Sequence, residues 1–279
     1  MALAMARDKS VQEAVSFRRR REIAGIEVRS VENSAHDFRY YTPDFEFLTS
    51  SGWRGDIVQS RRRTLLEPRG LVCLRPGDVC SGRMKEPGSR DSLHIEHEVL
   101  AALLFEHGVA LENTRFRFYT RMSARLAAAM AKALAAIAPG PMPDEVRSAL
   151  SEFVRVLLDE ALDDAPHASV EPSSAKDAAD RVKQCLENDP SMNVDLAALA
   201  RETGMSRFRA LRVFKRWYGL PPHAYQLRVR VGLVQKSLRS GSRPADAAAE
   251  YGFVDQSHLT RHFRRLLGVT PAAYARVGS

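Results

Sequence analysis

The sequence lacks the features that define several large protein classes. Its 279 residues hold only three cysteines, Cys73, Cys80 and Cys185, with no CxxC spacing. That excludes a disulfide-stapled scaffold, argues against a structural zinc site and makes a reducing cytoplasm the expected compartment. No stretch approaches the ~18 uninterrupted apolar residues of a membrane-spanning helix. The first residues, MALAMARDKSVQEAV, lack the apolar centre of a secretory signal. There is no GxSxG, P-loop or well-placed GxGxxG motif. What the chain does have is an ordinary globular balance, with 44% hydrophobic and 27% charged residues. Its length suffices for two domains of roughly 100–200 residues each.

Positive charge is unevenly placed. Residues 176–279 carry 18 Lys and Arg against 9 Asp and Glu, a net +9, whereas residues 1–175 carry 24 against 25, a net −1. The whole-chain excess of +8 therefore lies in the last third. A basic domain joined to a nearly neutral one points to a polyanion for one half and a different task for the other.

Residues 1–21 are polar and end in Arg18-Arg19-Arg20-Arg21, an arm or the lead-in to a strand. From Ile26 to about Met84, runs such as FRYY, FEFLTS, DIVQS and GLVCL are rich in aromatic and β-branched residues. The turn signals Thr42-Pro43-Asp44, Ser51-Gly52, Pro68-Arg69-Gly70 and Pro76-Gly77-Asp78 separate them. Short strands at this spacing predict a small antiparallel barrel or jelly roll. Residues from about 94 to 163 are expected to be helical, with Val146, Leu150, Phe153, Val154 and Leu157 on one face of the last helix. The sequence thus divides into an amino-terminal domain at 1–165, a linker at 166–175 (within DAPHASVEPSSA) and an all-helical domain at 176–279.

The helical domain contains an internal repeat. RALRVFKRWYGLPPHAY aligns with HLTRHFRRLLGVTPAAY at an offset of 49 residues: Arg212 with Arg261, Phe214 with Phe263, Gly219 with Gly268, Pro222 with Pro271, Tyr225 with Tyr274. Gly204 matches Gly252 at an offset of 48. In the first copy (about 194–218), Leu196, Leu199, Ala200 and Thr203 form one helical stripe, Gly204 permits a sharp turn, and Ser206 is placed to cap the next helix. That helix buries Ala210, Val213, Phe214 and Trp217 and exposes a basic remainder. In the second copy (about 244–267), Pro244 opens a short helix, Gly252 makes the turn, Phe253 plugs the core and Asp255 caps a helix whose buried stripe is Leu259, Phe263 and Leu266. A linker helix over about 222–239, with Leu227, Val231, Val234 and Leu238 on one face, joins them. A short helix, a tight glycine turn and a basic second helix are what entry into the DNA major groove requires.

LAALARETGMSRFRALRVFKRWYGLPPHAYQLRVRV, followed by ADAAAEYGFVDQSHLTRHFRRLLGVTPAAYAR, resembles the DNA-binding domain of the AraC family of bacterial transcription regulators. The resemblance covers roughly residues 190–276, departing where Ala210 replaces a larger aliphatic residue. It implies base-edge readers at Phe208, Arg209 and Arg212 on the first recognition helix, and at Gln256, Ser257, Thr260 and Arg261 on the second. Arg212 and Arg261 have the fork that pairs with guanine, and Gln256 the amide that pairs with adenine. Arg207, Lys215, Arg216, Arg264 and Arg265 complete the basic faces, the last four lying toward the helix ends where phosphates pass.

Residues around Pro76-Gly77-Asp78-Val79 are similar to the cupin-like effector domain of the same family, with Cys80 where a histidine usually stands. The resemblance implies an α+β multidomain protein: a β-barrel with trailing helices that bind a small effector and dimerise, then two helix-turn-helix units on duplex DNA. It further implies RNA polymerase as a partner, no cofactor, no membrane and no enzymatic activity, in a regulator that acts as an activator. Phe45, Phe47 and Trp53 are candidates for an aromatic effector pocket, and Arg61, Arg62 and Arg63 for anion recognition. A cupin-type metal enzyme or small-molecule-binding protein fused to a DNA-binding tail is the alternative. The enzyme needs a histidine cluster, and the barrel stretch offers only His36, with His94 and His97 on an expected helix.

Overall fold

The computed structural model describes residues 14–20, 22–34, 37–52, 54–59, 62–84, 87–163, 174–192 and 195–277. Among the described residues there are ten strands, all but the last before residue 96: β1 (Ala14–Arg20), β2 (Ile23–Ser34), β3 (Phe38–Tyr41), β4 (Phe45–Ser51), β5 (Gly55–Gln59), β6 (Arg62–Leu66), β7 (Gly70–Leu74), β8 (Val79–Met84), β9 (Gly88–Ile95) and β10 (Tyr119–Arg121). They pair antiparallel in two sheets, of order β1-β2-β9-β4-β7-β10 and β3-β8-β5-β6. The predicted turn signals fall between strands, and Gly77 and Arg69 take positive φ values of 86° and 67° there.

Strand alternation sorts the two faces of the larger sheet. Leu48, Val72 and Leu74 meet Ile57, Leu66 and Cys80 of the smaller sheet between the layers. Phe45, Phe47, Leu71, Leu93 and Ile95 point the other way. There they share a core with α1 (His97–Phe105), α2 (Ala124–Ala136) and α3 (Pro143–Ala161). Phe47 makes edge contacts with Phe116 and Phe153 at 5.7 and 5.3 Å between ring centres.

Two expectations are corrected here. Helix does not begin at residue 94: the alternating DSLHI segment pairs with both β2 and β4. His94 therefore lies on β9, buried, with Nε2 3.8 Å from Glu46 Oε1, while His97 opens α1. Phe45 and Phe47 belong to the core under the helices, because their register sends them away from the space between the sheets. Trp53, Arg61 and His36 lie outside the described residues, as does the side chain of Arg62.

The second part is all helix: α4 (Ser174–Asn188), α5 (Leu196–Thr203), α6 (Arg207–Tyr218), α7 (Pro222–Arg239), α8 (Pro244–Glu250), α9 (Gln256–Leu267) and α10 (Pro271–Ala275). The amino-terminal strands contribute side chains to its cores. Val79 and Tyr41 join Val182, Leu186, Phe214, Leu220 and Tyr225 around α6. Phe17 joins Leu238, Phe253, Leu259, Phe263 and Tyr274 around α9. No helix among the described residues is long and apolar enough to cross a membrane.

Candidate nucleic-acid interface

The two repeat copies build the same local structure from matched residues. Ser206 accepts from the Arg209 amide and Asp255 from the His258 amide, so α6 and α9 each start on a side-chain cap. Gly219 and Gly268 end these helices in the left-handed conformation, at φ 72° and 85°. The turns between paired helices use Gly204 (φ 64°) and Gly252 (φ 74°). A Cβ at Gly252 would meet the Ser191 carbonyl and come within 2.9 Å of Ser191 Cα, whereas one at Gly204 meets nothing within 4 Å.

Burial separates core from surface on both recognition helices. On α6, Ala210 and Phe214 are buried and Val213 and Trp217 half-buried; on α9, Leu259, Phe263 and Leu267 are buried and Leu266 half-buried. Phe253 and Tyr274 are core residues, as expected. Arg207, Phe208, Arg209, Arg212, Lys215 and Arg216 are all exposed on α6; Gln256, Ser257, Arg261, Arg264 and Arg265 are exposed on α9. Thr260 is half-buried, and its hydroxyl donates to the Gln256 carbonyl at 2.8 Å. Six of these α9 residues, Gln256, Ser257, Thr260, Arg261, Arg264 and Arg265, line one open concavity of about 660 Å³. Phe208 leaves 78% of its surface in water, which no packing role explains.

Val254, 86% exposed in the turn before α9, was not anticipated. The repeat contains the signal for it: at the 49-residue offset Val254 aligns with Met205, immediately before the helix cap. Partial burial first, then the Arg265 guanidinium, push His262 down to about 4. Its neutral Nδ1 thus accepts from Arg265 Nη2 at 2.9 Å.

The linker helix α7 holds the copies at a fixed separation. Its 18 residues span about 27 Å at 1.5 Å per residue. Arg230, on its inner face, donates to the carbonyls of Pro190, Ser191, Met192 and Gly252, tying the α4–α5 segment to the second turn. Among the described residues no group of three His, Cys, Asp or Glu side chains is placed to hold a metal ion.

Residues 199–276 match the helix-turn-helix domain family. The chain is 39% identical over 90 residues to the HTH-type transcriptional regulator YbfI of Bacillus subtilis, covering 31% of this chain and 33% of that protein. It is 35% identical over 92 residues to an AraC-like transcription regulator of Streptomyces antibioticus, covering 33% of this chain and 30% of the relative.

Residues 199–276 are a helix-turn-helix domain, similar to that of AraC-like regulators.

The chain therefore spans about a third of the length of the relatives it matches. Over nearly the whole chain the fold is similar to that of ToxT from Vibrio cholerae, solved with an unsaturated fatty acid bound. The TM-score is 0.52 at 13% identity, covering 95% of this chain and 97% of that one. The likeness is one of fold: a sheet-rich region followed by a helical domain.

Proposed function

We propose that the protein is a sequence-specific DNA-binding transcription regulator whose amino-terminal domain responds to a small-molecule effector. The observation that carries this reading is the pairing of two capped, basic, solvent-facing helices, α6 and α9, across one rigid helix. On this reading α6 and α9 enter successive major grooves on one face of the duplex. Arg212, Arg261 and Gln256 read base edges, and Lys215, Arg216, Arg264 and Arg265 hold phosphates. The regulators it resembles support the transcriptional role. The fatty acid seen in ToxT supports an effector of small organic type. The domain division at 1–165, 166–175 and 176–279, homodimerisation, activation through RNA polymerase, cytoplasmic location and the absence of an enzymatic reaction belong to the same proposal.

The test is selection of bound duplexes from a random library with the full chain, followed by affinity measurements over a salt series. The reading expects a bipartite motif with elements about 10–10.5 base pairs apart, retained specificity at high salt, and an affinity that falls steeply with salt. Enrichment of no motif at any ionic strength contradicts it.

A further inference from the structure

We infer that His258 is a further DNA contact, a phosphate ligand at the start of α9, and that it couples DNA binding by the second copy to the uptake of a proton. The inference deepens the DNA-binding reading above and rests on it. It begins from the repeat. At the 49-residue offset Arg212 meets Arg261, Lys215 meets Arg264 and Arg216 meets Arg265, so the copies carry the same charge at these places. They part at Arg209, whose counterpart is His258. One recognition helix has a permanent cation in its first turn, and the other has a titratable ring.

The backbone at the two places is the same. The Arg209 amide donates to the Ser206 cap and the His258 amide to the Asp255 cap, so each residue is the third of its helix. The first turn of a recognition helix is the part that meets DNA in the groove. Arg209 is exposed and His258 half-buried. The imidazole packs edge-on against Phe253 at 5.6 Å and His262 at 4.6 Å between ring centres. It directly follows Ser257 and stands one turn before Arg261, both of which line the α9 concavity. Its Nδ1 accepts from the Val254 amide at 3.4 Å, which leaves the ring proton on Nε2. That bond is long. A second proton at Nδ1 therefore sacrifices little, and the ring then carries two donors and a full charge.

The charged neighbours decide how many protons enter. From α9 itself come Asp255, Arg261, His262 and Arg265, and from α7 comes His223. Partial burial first, then Arg265, His258, Arg261 and His223, hold His262 down at about 4. Two imidazolium rings 4.6 Å apart would also repel each other. His262 thus stays neutral near pH 6, and the inference involves one proton, on His258. A backbone phosphate at the α9 N-terminus supplies the charge opposite to it. Coupling between two equilibria is reciprocal, so a proton that strengthens the phosphate contact is taken up when DNA binds. A single phosphate contact sets the scale: roughly three- to tenfold tighter binding at pH 6 than at pH 8, with a salt slope steeper by about 0.9.

The experiment is fluorescence anisotropy of the full chain on a selected duplex at pH 8 and pH 6, each over a salt series. Wild type should show both the gain in affinity and the steeper slope at pH 6. His258→Gln should bind at both pH values as wild type does at pH 8. His258→Arg, which copies the first unit, should bind at both as wild type does at pH 6. Arg209→His should weaken binding at pH 8 and enlarge the pH response, because both copies then titrate. His262→Gln should leave the response in place. A wild type indifferent to pH, a response that survives in His258→Gln, or a His258→Arg chain that still responds overturns the inference. Motif selection at both pH values keeps the two readings apart. A motif bound with pH-independent affinity refutes the histidine contact alone, whereas enrichment of no motif at either pH refutes the proposed function and the contact with it.

Discussion

The two helix-turn-helix copies share one backbone plan and differ in how each is held. Tyr225 and Tyr274, matched by the repeat, are both fully buried and both are points where the amino-terminal domain docks. Tyr225 donates its hydroxyl proton to Glu187 at 2.5 Å, and the same hydroxyl lies 3.3 Å from the Gly77 carbonyl of the β7–β8 turn. Tyr274 packs edge-on against Phe17 at 5.0 Å and lies under the Arg19 guanidinium at 4.4 Å. Arg19 in turn donates to the carbonyls of Tyr274 and Val277. The second copy is held further by Arg239, which donates to buried Asp44 at 2.8 Å and pairs with Glu96 at 2.9 Å. One copy is thus docked by a turn and aromatic contacts, the other by a whole strand and buried ion pairs. The amino-terminal domain also touches the helix between them, where a Cβ at Gly232 would stand 3.1 Å from Pro43 and Tyr41. The amino-terminal domain thus contacts both copies and the helix that joins them.

The asymmetry at the turns gives the largest expected effect. Gly252→Ala combines a left-handed backbone, ~1–2 kcal/mol for an L residue, with overpacking against Ser191, roughly 1–3 kcal/mol. Gly204→Ala bears only the first cost. Urea denaturation should find Gly252→Ala destabilised by about 2–5 kcal/mol and Gly204→Ala by about 1–2 kcal/mol; equal losses would remove the steric distinction between the copies.

Next is the strand that holds the second copy. Phe17→Ala deletes a buried ring and should cost about 3 kcal/mol. Hydrogen exchange should quicken in α8, α9 and α10 while α5 and α6 keep their protection. Uniform loosening of both copies would mean that the domain acts on them as one block.

At the DNA surface the copies should behave alike. Arg212→Ala and Arg261→Ala each should cost about 1–3 kcal/mol against the preferred base and relax choice at one position. Lys215→Ala should weaken every sequence equally and reduce the salt slope by about 0.9. Gel-shift titrations on matched and mismatched duplexes separate the two outcomes.

The smallest effect is a pH dependence confined to the second copy. His262 stands where the first copy has Val213. Its folded value of about 4 lies below the ordinary 6.5. The unfolded chain therefore binds the extra proton between those limits, and stability falls as pH drops through that window. Half exposure to solvent keeps the effect small. His262→Gln should flatten the dependence, and an unchanged melting profile from pH 6.5 to 4 in wild type would contradict the account.

The repeat was legible because it is written in local terms: glycines, caps and apolar positions recur at fixed offsets, and each acts within its own turn of helix. The β texture was legible for the same reason, and so were the turns at Gly77 and Arg69. His94 was misplaced because HIEHEVLAALLFEHG has good helix formers throughout; only pairing with β2 and β4, strands far away in the chain, makes its first residues a strand. Phe47 looks like a pocket aromatic until α3 supplies Phe153 to pack beside it. Docking of the two domains was invisible, since Arg19 and Tyr274, or Asp44 and Arg239, meet across some two hundred residues of intervening chain. No periodicity records such a pairing. Val254 was within reach, had the repeat been extended one residue before the cap.

The most direct test of the central claim inserts about five base pairs, half a helical turn, between the two elements of the selected site. Copies fixed by α7 then face opposite sides of the duplex. The full chain should lose at least a hundredfold in affinity, and extending the insertion to a full turn should not restore it, because α7 fixes the distance between the copies as well as their facing. Undiminished affinity for the half-turn duplex would show that α6 and α9 read DNA independently, and that the rigid helix between them does not set the spacing.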